Sequence, residues 1–432
     1  MTASSLTEKK LIDCLVGLGR GQSPAYIDDE SPIYAINQKC VRAGTVDVSH
    51  ARAHDSAVFV KEFAVLHQDD LCINSTGTGT IGRVGLWSNN EGRRFFADSH
   101  VTIARPNPSV VNARYLTEAL QSPAIQTRME TYCFSGSTNQ IELNKAALSE
   151  MVLELLSRPE QDAVAGVITT LDHAIRNTEA IIAKQQRIKT GLMQDLLTKG
   201  IDENGNIRSE GTHKFKDSPL GRIPVEWEAE ALSSITSKIV DGVHHTPIYR
   251  DDGVPFVTIT DMTASDGIIF DRVRYISESD HRSFIKRADP ASGDVLVTKD
   301  GTLGVARIVQ DSYPKFSIFV SVAQIRPNID VCVPDLIWSF FDSGEFLVQL
   351  GALSAGTGLA HIHLEHFRKF QFRVPPLEEQ VRIFRILSGC RDSISSSKSD
   401  IAKLRSIKKG LMHDLLTGEV SVTNLLPDPA AH

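Results

Sequence analysis

One segment occurs twice in this chain. Ile182 to Thr198 reads IAKQQRIKTGLMQDLLT and Ile401 to Thr417 reads IAKLRSIKKGLMHDLLT, with 12 of 17 positions identical at an offset of 219 residues, about half of the 432. A repeat of that period decides the architecture before any local feature does, because each copy has to be one structural unit. The match continues upstream in weaker form. Glu160-Gln161 pairs with Glu379-Gln380 and Ile175 with Ile394 at the same offset. With some drift, Ser31 to Ile36 resembles Val254 to Ile259, Arg105-Pro106 resembles Arg326-Pro327, and Gly79-Thr-Ile-Gly82 resembles Gly301-Thr-Leu-Gly304.

The last pair settles how to read "NSTGTGTIGRVG" (Asn74 to Gly85), whose Gly77-x-Gly79-x-x-Gly82 has the spacing of a dinucleotide-binding fingerprint. That fingerprint needs a helix opening directly after it. Gly82 instead leads into short apolar pieces (Val84, Leu86, then Val101, Ile103) broken by Ser88 to Gly92, which read as strand, turn, strand. The second copy, TKDGTLGVAR, keeps only the Gly-Thr-Leu-Gly turn. The shared element is therefore a tight strand connection, with glycine supplying positive φ or close backbone approach.

Each half ends in a segment of helical period. Ile168, Leu171, Ile175, Ile182, Leu192 and Leu196 form one 3-4 spaced series; Leu387, Cys390, Ile394, Ile401, Leu404, Leu411 and Leu415 form the other, an imperfect heptad seam. Pro159 and Pro375-Pro376 mark helix starts, and Lys199-Gly200 and Thr417-Gly418 mark ends. A helix from 160 to 198 is roughly 58 Å long at 1.5 Å per residue. Matching periods favour packing the two helices on each other as a coiled coil; the alternative is that each packs only on its own domain. Gly191 and Gly410, inside these helices at a cost of about 1 kcal/mol each, imply close helix approach or a kink.

Composition narrows the class. A chain with 41% hydrophobic and 23% charged residues has room for two to four domains with real cores. The sequence holds neither an eighteen-residue apolar run nor a signal-peptide pattern, so a cytoplasmic protein without a membrane segment is expected. Six scattered cysteines without a CxxC pair fit buried thiols better than disulfides or zinc, and the pairs His244-His245 and His361-x-His363 have no third ligand at telling spacing, so no metal is expected. Catalytic motifs are also missing: there is no GxxxxGK(S/T) loop, no Asn-Pro-Pro-aromatic motif, no nucleophile elbow and no nuclease-like acid cluster.

The stretches FSGSTNQIELNKAALSEMVLELLSRPEQ and LSAGTGLAHIHLEHFRKFQFRVPPLEEQ, each leading into a helix that closes in IKxGLMxDLLT, and GRIPVEWE at Gly221 to Glu228, resemble the DNA-specificity subunit of type I restriction-modification systems. The first half departs from that pattern in LLSRPEQ and in lacking an IPxxW entry near its start. The resemblance implies an α+β fold: two mixed α/β target-recognition domains with twisted sheets, separated by two long antiparallel coiled-coil helices, in a pseudo-two-fold tandem repeat. The expected organisation is a first recognition domain at 1–155, a spacer helix at 156–200 and a polar linker at 201–220. A second recognition domain at 221–375, a second spacer helix at 376–418 and a flexible tail at 419–432 complete it.

The implied function is non-catalytic: reading a bipartite DNA target and docking methyltransferase subunits, two of them, with restriction/translocase subunits in the full complex. S-adenosylmethionine and ATP would sit on those partners, and no cofactor on this chain. With 46 Lys and Arg against 53 Asp and Glu, the net charge of −7 makes local clusters matter more than the sum. Arg93-Arg94, Arg272/Arg274, Lys286-Arg287 and Arg368-Lys369 are candidate phosphate contacts. Base readout needs polar side chains on loops at a sheet. Ser137, Thr138, Asn139 and Gln140 offer them, as do Thr357 and His361 in the second half. Asn74, Ser75, Thr76, Lys299 and Asp300 beside the glycine turns are further candidates; the plain reading of all of these is turn capping. A coiled-coil scaffold for protein partners explains the helices but leaves the twin sheet-like regions unaccounted for. A stand-alone methyltransferase or nuclease lacks its motifs.

Overall fold

The computed structural model describes residues 6–88, 92–136, 141–353, 361–417, 419–420 and 422. The chain forms two compact units, one of residues 1–181 with 397–432, the other of 182–396.

In the first unit a four-stranded antiparallel sheet runs in the order Leu15–Arg20, Val101–Pro106, Leu71–Asn74, Val84–Leu86. Strand Ile33–Ile36 forms a second sheet between Arg52–Ala53, antiparallel to it, and Arg94–Ala97, parallel to it. Thr7–Lys10 pairs with Val152–Leu155. The second unit repeats all of this. Its four-stranded sheet runs Thr236–Asp241, Val322–Pro327, Val295–Thr298, Ala306–Ile308. Val254–Val257 lies between antiparallel Arg274–Ile276 and parallel Ser317–Ile318, and Glu228–Ala231 pairs with Gln371–Val374.

The central strands are apolar on both faces because both faces are covered. Leu71, Ile73 and Ala104 enter one core while Cys72, Val101 and Ile103 enter another. Val295, Val297 and Ile325 part from Leu296 and Val322 in the same way. This alternation is the strand's period of two, hidden in the sequence because both sides are largely apolar, with buried polar residues such as Thr102 and Gln324 as exceptions.

Two of the repeated dipeptides have structural causes. Arg105 grips the buried Asp70 through Nε at 2.8 Å and Nη2 at 2.9 Å, and Arg326 grips the buried Asp294 at 2.8 Å through each of the same atoms. The paired carboxylate pushes the arginine pKa up in both cases. Gln161 Oε1 accepts from Asn112 N at 2.9 Å and Gln380 Oε1 from Val333 N at 3.0 Å. Each glutamine thereby ties the start of a long helix to the start of a sheet-covering helix, Ala113–Gln121 or Pro334–Asp342.

The long helices are Arg158–Thr198, 41 residues, and Leu377–Leu416, 40 residues. They run antiparallel and pack on each other within each unit. In the first unit Glu179 pairs with Arg405 and Asp172 with Lys408, both at 2.7 Å, and in the second Gln185 donates to Ser393 Oγ at 2.8 Å. Ile394 and Ile401 are buried, and Leu171, Ile175, Ile182, Cys390 and Leu404 are half-buried along the seam. Farther out the seam merges with the sheet cores: Ile168, Leu411 and Leu415 pack in the first, Leu192, Leu196 and Leu387 in the second. Apart from their own helices' backbone and chain neighbours, no described atom lies within 4 Å of where a Cβ on Gly191 or Gly410 would sit, so among the described residues nothing makes the close approach expected there.

The segment 201–220, expected as a linker, is an ordered strap. Asp202 Oδ1 accepts from the backbone N of Asn204 and Asn206 at 2.9 and 2.8 Å, and Phe215–Ser218 pairs with Gly221–Pro224. Its anchor is the buried Glu379. That carboxylate takes a hydrogen bond from Ile201 N at 3.0 Å, one from Trp227 Nε1 at 3.1 Å and a bidentate pair from the buried Arg208. In the segment expected as a flexible tail, Val422 is buried in the first unit's core.

Candidate nucleic-acid interface

The glycine turns join neighbouring antiparallel strands, Leu71–Asn74 to Val84–Leu86 and Val295–Thr298 to Ala306–Ile308, with no helix between. Gly82 and Gly304 both have φ of +79°, and a Cβ there would lie 2.7 Å from Phe134 or 2.2 Å from Phe346. Glycine is required twice over, for the left-handed backbone and for the ring packed on it.

Beside each turn three strand ends meet. In the first unit the end of Leu15–Arg20 places Arg20 on Glu142 at 2.9 Å and on Leu143 O at 3.3 Å. Thr76 Oγ1 lies 2.9 Å from His100 Nδ1 and 3.3 Å from Gln38 Oε1, and bridges to Glu142 through the backbone. Asn74 and Ser75 are buried: Asn74 donates to Gln38 O at 3.1 Å, and Ser75 shares a 2.6 Å hydrogen bond with Thr102. Thr76, Gly79, Gln126, Ser135 and Glu142 line an open cleft of about 1110 Å³ here.

In the second unit the equivalent strand end carries Asp241, and the same place becomes an ionic cluster. Asp241 is 3% exposed. Its Oδ1 accepts from Arg287 Nη2 and lies 3.1 Å from His244 Nε2, and its Oδ2 is 3.3 Å from Lys299 Nζ. Burial pushes the Asp241 pKa up, but the hydrogen bonds from Arg287 and His244 and the charge of Lys299 outweigh it and hold it below the usual carboxylate value. Arg287 Nε also donates to the carbonyls of Asp241 and Gly242 at 3.1 and 3.2 Å. Asp300 bonds His361 Nδ1 and bridges to it through the backbone, as Thr76 bridges to Glu142.

The structure thus brings Arg287, Lys299, Asp300 and His361 to one sheet end, with Lys299 buried inside and Arg287 half-exposed. Of the other basic candidates, Lys286 adjoins Arg287 in the chain. Exposed Arg93 sits 5.2 Å from the Tyr34 ring centre and Arg94 3.6 Å from Glu62. Arg274 lies 4.6 Å over Tyr249, matched in the first unit by Arg52 at 3.8 Å over Tyr26. Arg272, Lys286 and Lys369 are exposed, and Arg368 bonds Glu365 at 2.6 Å. Ser137, Thr138, Asn139, Gln140 and Thr357 fall outside the described residues.

Sequence reasoning missed Arg20 and Asp241 at the strand ends. Their signal is the glycine directly after each. A Cβ on Gly21 would sit 2.0 Å from Ala97 O, and one on Gly242 2.1 Å from Ile318 O, so Arg20-Gly21 and Asp241-Gly242 mark one crossing in both repeats.

Residues 224–405 match the family model for the type I restriction modification DNA specificity domain. The chain is 26% identical over 349 residues to the MjaX type I restriction enzyme specificity subunit of Methanocaldococcus jannaschii, spanning 79% of this chain and 76% of that protein. It is 22% identical over 288 residues to the MjaVIII specificity subunit of the same organism, spanning 66% and 65%.

Two solved structures share the fold, each at 15% identity. One, the S subunit of a type I restriction-modification system from M. genitalium, has a TM-score of 0.57 with 99% of this chain and 100% of that one covered. The other, from a study of assembly and conformational transition of the type I R-M system, has a TM-score of 0.55 with 96% and 98% covered. Residues 224–405 thus carry the match to a type I DNA specificity domain, and most of the chain is similar to type I specificity subunits.

Proposed function

We propose that this chain reads a bipartite DNA target, one half-site through each unit, and docks two methyltransferase subunits of a type I restriction-modification complex. The observation that carries the reading is one sheet frame built twice with different polar side chains at the same strand ends. Such a frame carries Arg20, Thr76 and His100 in one unit and Arg287, His244 and His361 in the other, and unlike donor sets select unlike base pairs in a major groove. A scaffold for protein partners alone has no use for two sheet ends that differ only in their donors.

Two partner copies are supported by a groove that also occurs twice. Met193, Gln194, Leu197 and Thr198 line one of about 560 Å³ in the second unit. Met412, His413, Leu416 and Thr417, the same four positions of the repeat, line one of about 760 Å³ in the first. Beside them Gly191 and Gly410 leave an exposed helix face open, and Ile188 and Ile407 are about half exposed, at 48% and 50%. A helix-interior glycine costs about 1 kcal/mol, which a closely packed partner offsets. S-adenosylmethionine and ATP belong, in this proposal, to the methyltransferase and translocase partners.

Methylation-site mapping in cells carrying this chain with its methyltransferase tests the reading. A split motif with two unlike halves is expected; a continuous motif, or none, overturns it.

A further inference from the structure

Beyond a general role in reading DNA, the second unit contains an arginine fixed as if for one particular contact. Arg287 is half-exposed, yet its Nε is committed to two backbone carbonyls and its Nη2 to Asp241 Oδ1, with His244 Nε2 at 3.0 Å. Asp241 is buried, and Lys299, 3% exposed, shares its second oxygen. Two basic side chains, Arg287 and Lys299, share this one carboxylate. A phosphate contact needs charge but little orientation, and a carboxylate beside the cation weakens it. A base contact needs orientation above all, and a fork held by a buried acid enters the groove already aligned. Among the described residues nothing engages Arg287 Nη1, which leaves N–H groups at the exposed edge of the guanidinium. The acceptor pair that a guanidinium fits in a major groove is O6 and N7 of guanine.

We infer that Arg287 reads a guanine in the half-site bound by the second unit, and that Asp241 is its positioning residue. The inference rests on the proposed DNA-reading function. It extends to one half-site only, because the acid on the first unit's strand-end arginine, Glu142, is itself exposed and does not fix Arg20 as the buried Asp241 fixes Arg287.

The test uses the full chain assembled with its methyltransferase subunits, with binding selected from a randomised DNA library for wild type, Arg287→Lys, Asp241→Asn and the double variant. Wild type is expected to select a split motif with a guanine in one half. Arg287→Lys keeps the charge but loses the fork, and should lower preference for that guanine by roughly 5- to 150-fold while leaving the other half unchanged. Asp241→Asn should weaken preference at the same position, and the double variant should add nothing to Arg287→Lys, which a merely structural aspartate would not produce. An equal affinity loss on every sequence with selectivity intact makes Arg287 a phosphate contact and overturns the inference. So does lost thermal stability with unchanged preference, or a change in the other half. Wild type without any sequence preference sinks the DNA-reading function itself and the inference with it. A selective wild type with an unaltered Arg287→Lys sinks the inference alone.

Discussion

Arg20 and Asp241 end the same strand in two copies of one sheet and carry opposite charge. Arg20 meets Glu142, which bridges to Thr76 beside His100 and Gln38; around Asp241 stand Arg287, Lys299 and His244. What lies beneath is shared, down to the grip of Arg105 on Asp70 and of Arg326 on Asp294. The frame is held constant by close backbone crossings and buried ion pairs, while the strand ends carry the chemistry that varies. Function can therefore diverge between the units without disturbing the fold.

The most severe way to break this comparison is to exchange residues 221–375 for the equivalent region of another specificity subunit. One half of the methylated motif should be replaced outright and the other left intact; methylome sequencing would reveal any change in both.

Next comes Glu379→Gln. Removing one charge of a buried, hydrogen-bonded pair typically costs about 3–5 kcal/mol, and the amide leaves a single acceptor oxygen for Ile201 N, Trp227 Nε1 and the Arg208 fork. Hydrogen exchange should show the second unit opening while protection of the first unit's sheet holds.

Arg105→Ala and Arg326→Ala sharpen the comparison. Both strand a buried aspartate, but Asp294 keeps a 2.6 Å hydrogen bond from Gln324, where the first unit has Ile103. Arg105→Ala should therefore cost more, by about the 1.5–3 kcal/mol of one hydrogen bond to a charged group, read from denaturant midpoints.

The smallest effect is in acid. Burial pushes Asp98 of the first unit above the usual carboxylate value, against the opposing hydrogen bond from His100 N. Burial also works on Asp289 of the second unit, but hydrogen bonds from Lys238 and Gln324 and the charge of Arg326 outweigh it and hold the group at about 2. A raised carboxylate binds its proton more tightly when folded, so its contribution grows as pH falls toward the ordinary value near 3.8. A depressed one contributes above that value and loses its contribution as pH falls toward about 2. Between about pH 4 and 2 the second unit should lose protection, and Asp289→Asn should abolish that pH-dependent loss; an unchanged profile in the variant assigns it elsewhere.

Much of the frame was legible because it is written locally and written twice. The glycine turns, the Arg-Pro ends of the central strands and both seams are neighbours in sequence, and repetition separated them from chance. The Asp241 cluster was not, since it draws on positions 241, 244, 287 and 299 from separate elements. Arg287 stood out only as one of a basic pair with Lys286, which points toward phosphate and away from the carboxylate that holds it. The strap at 201–220 looked like a linker because its Asp, Asn and Gly residues are turn formers, and the partner that buries Arg208 lies 171 residues away.

The first unit takes residues from both ends of the chain, with Leu415 and Val422 inside the core begun by Leu11 and Leu71. On the ribosome, that hydrophobic interior stays open through the whole synthesis of residues 182–396, and a truncation ahead of Leu411 would injure the first unit while sparing the second.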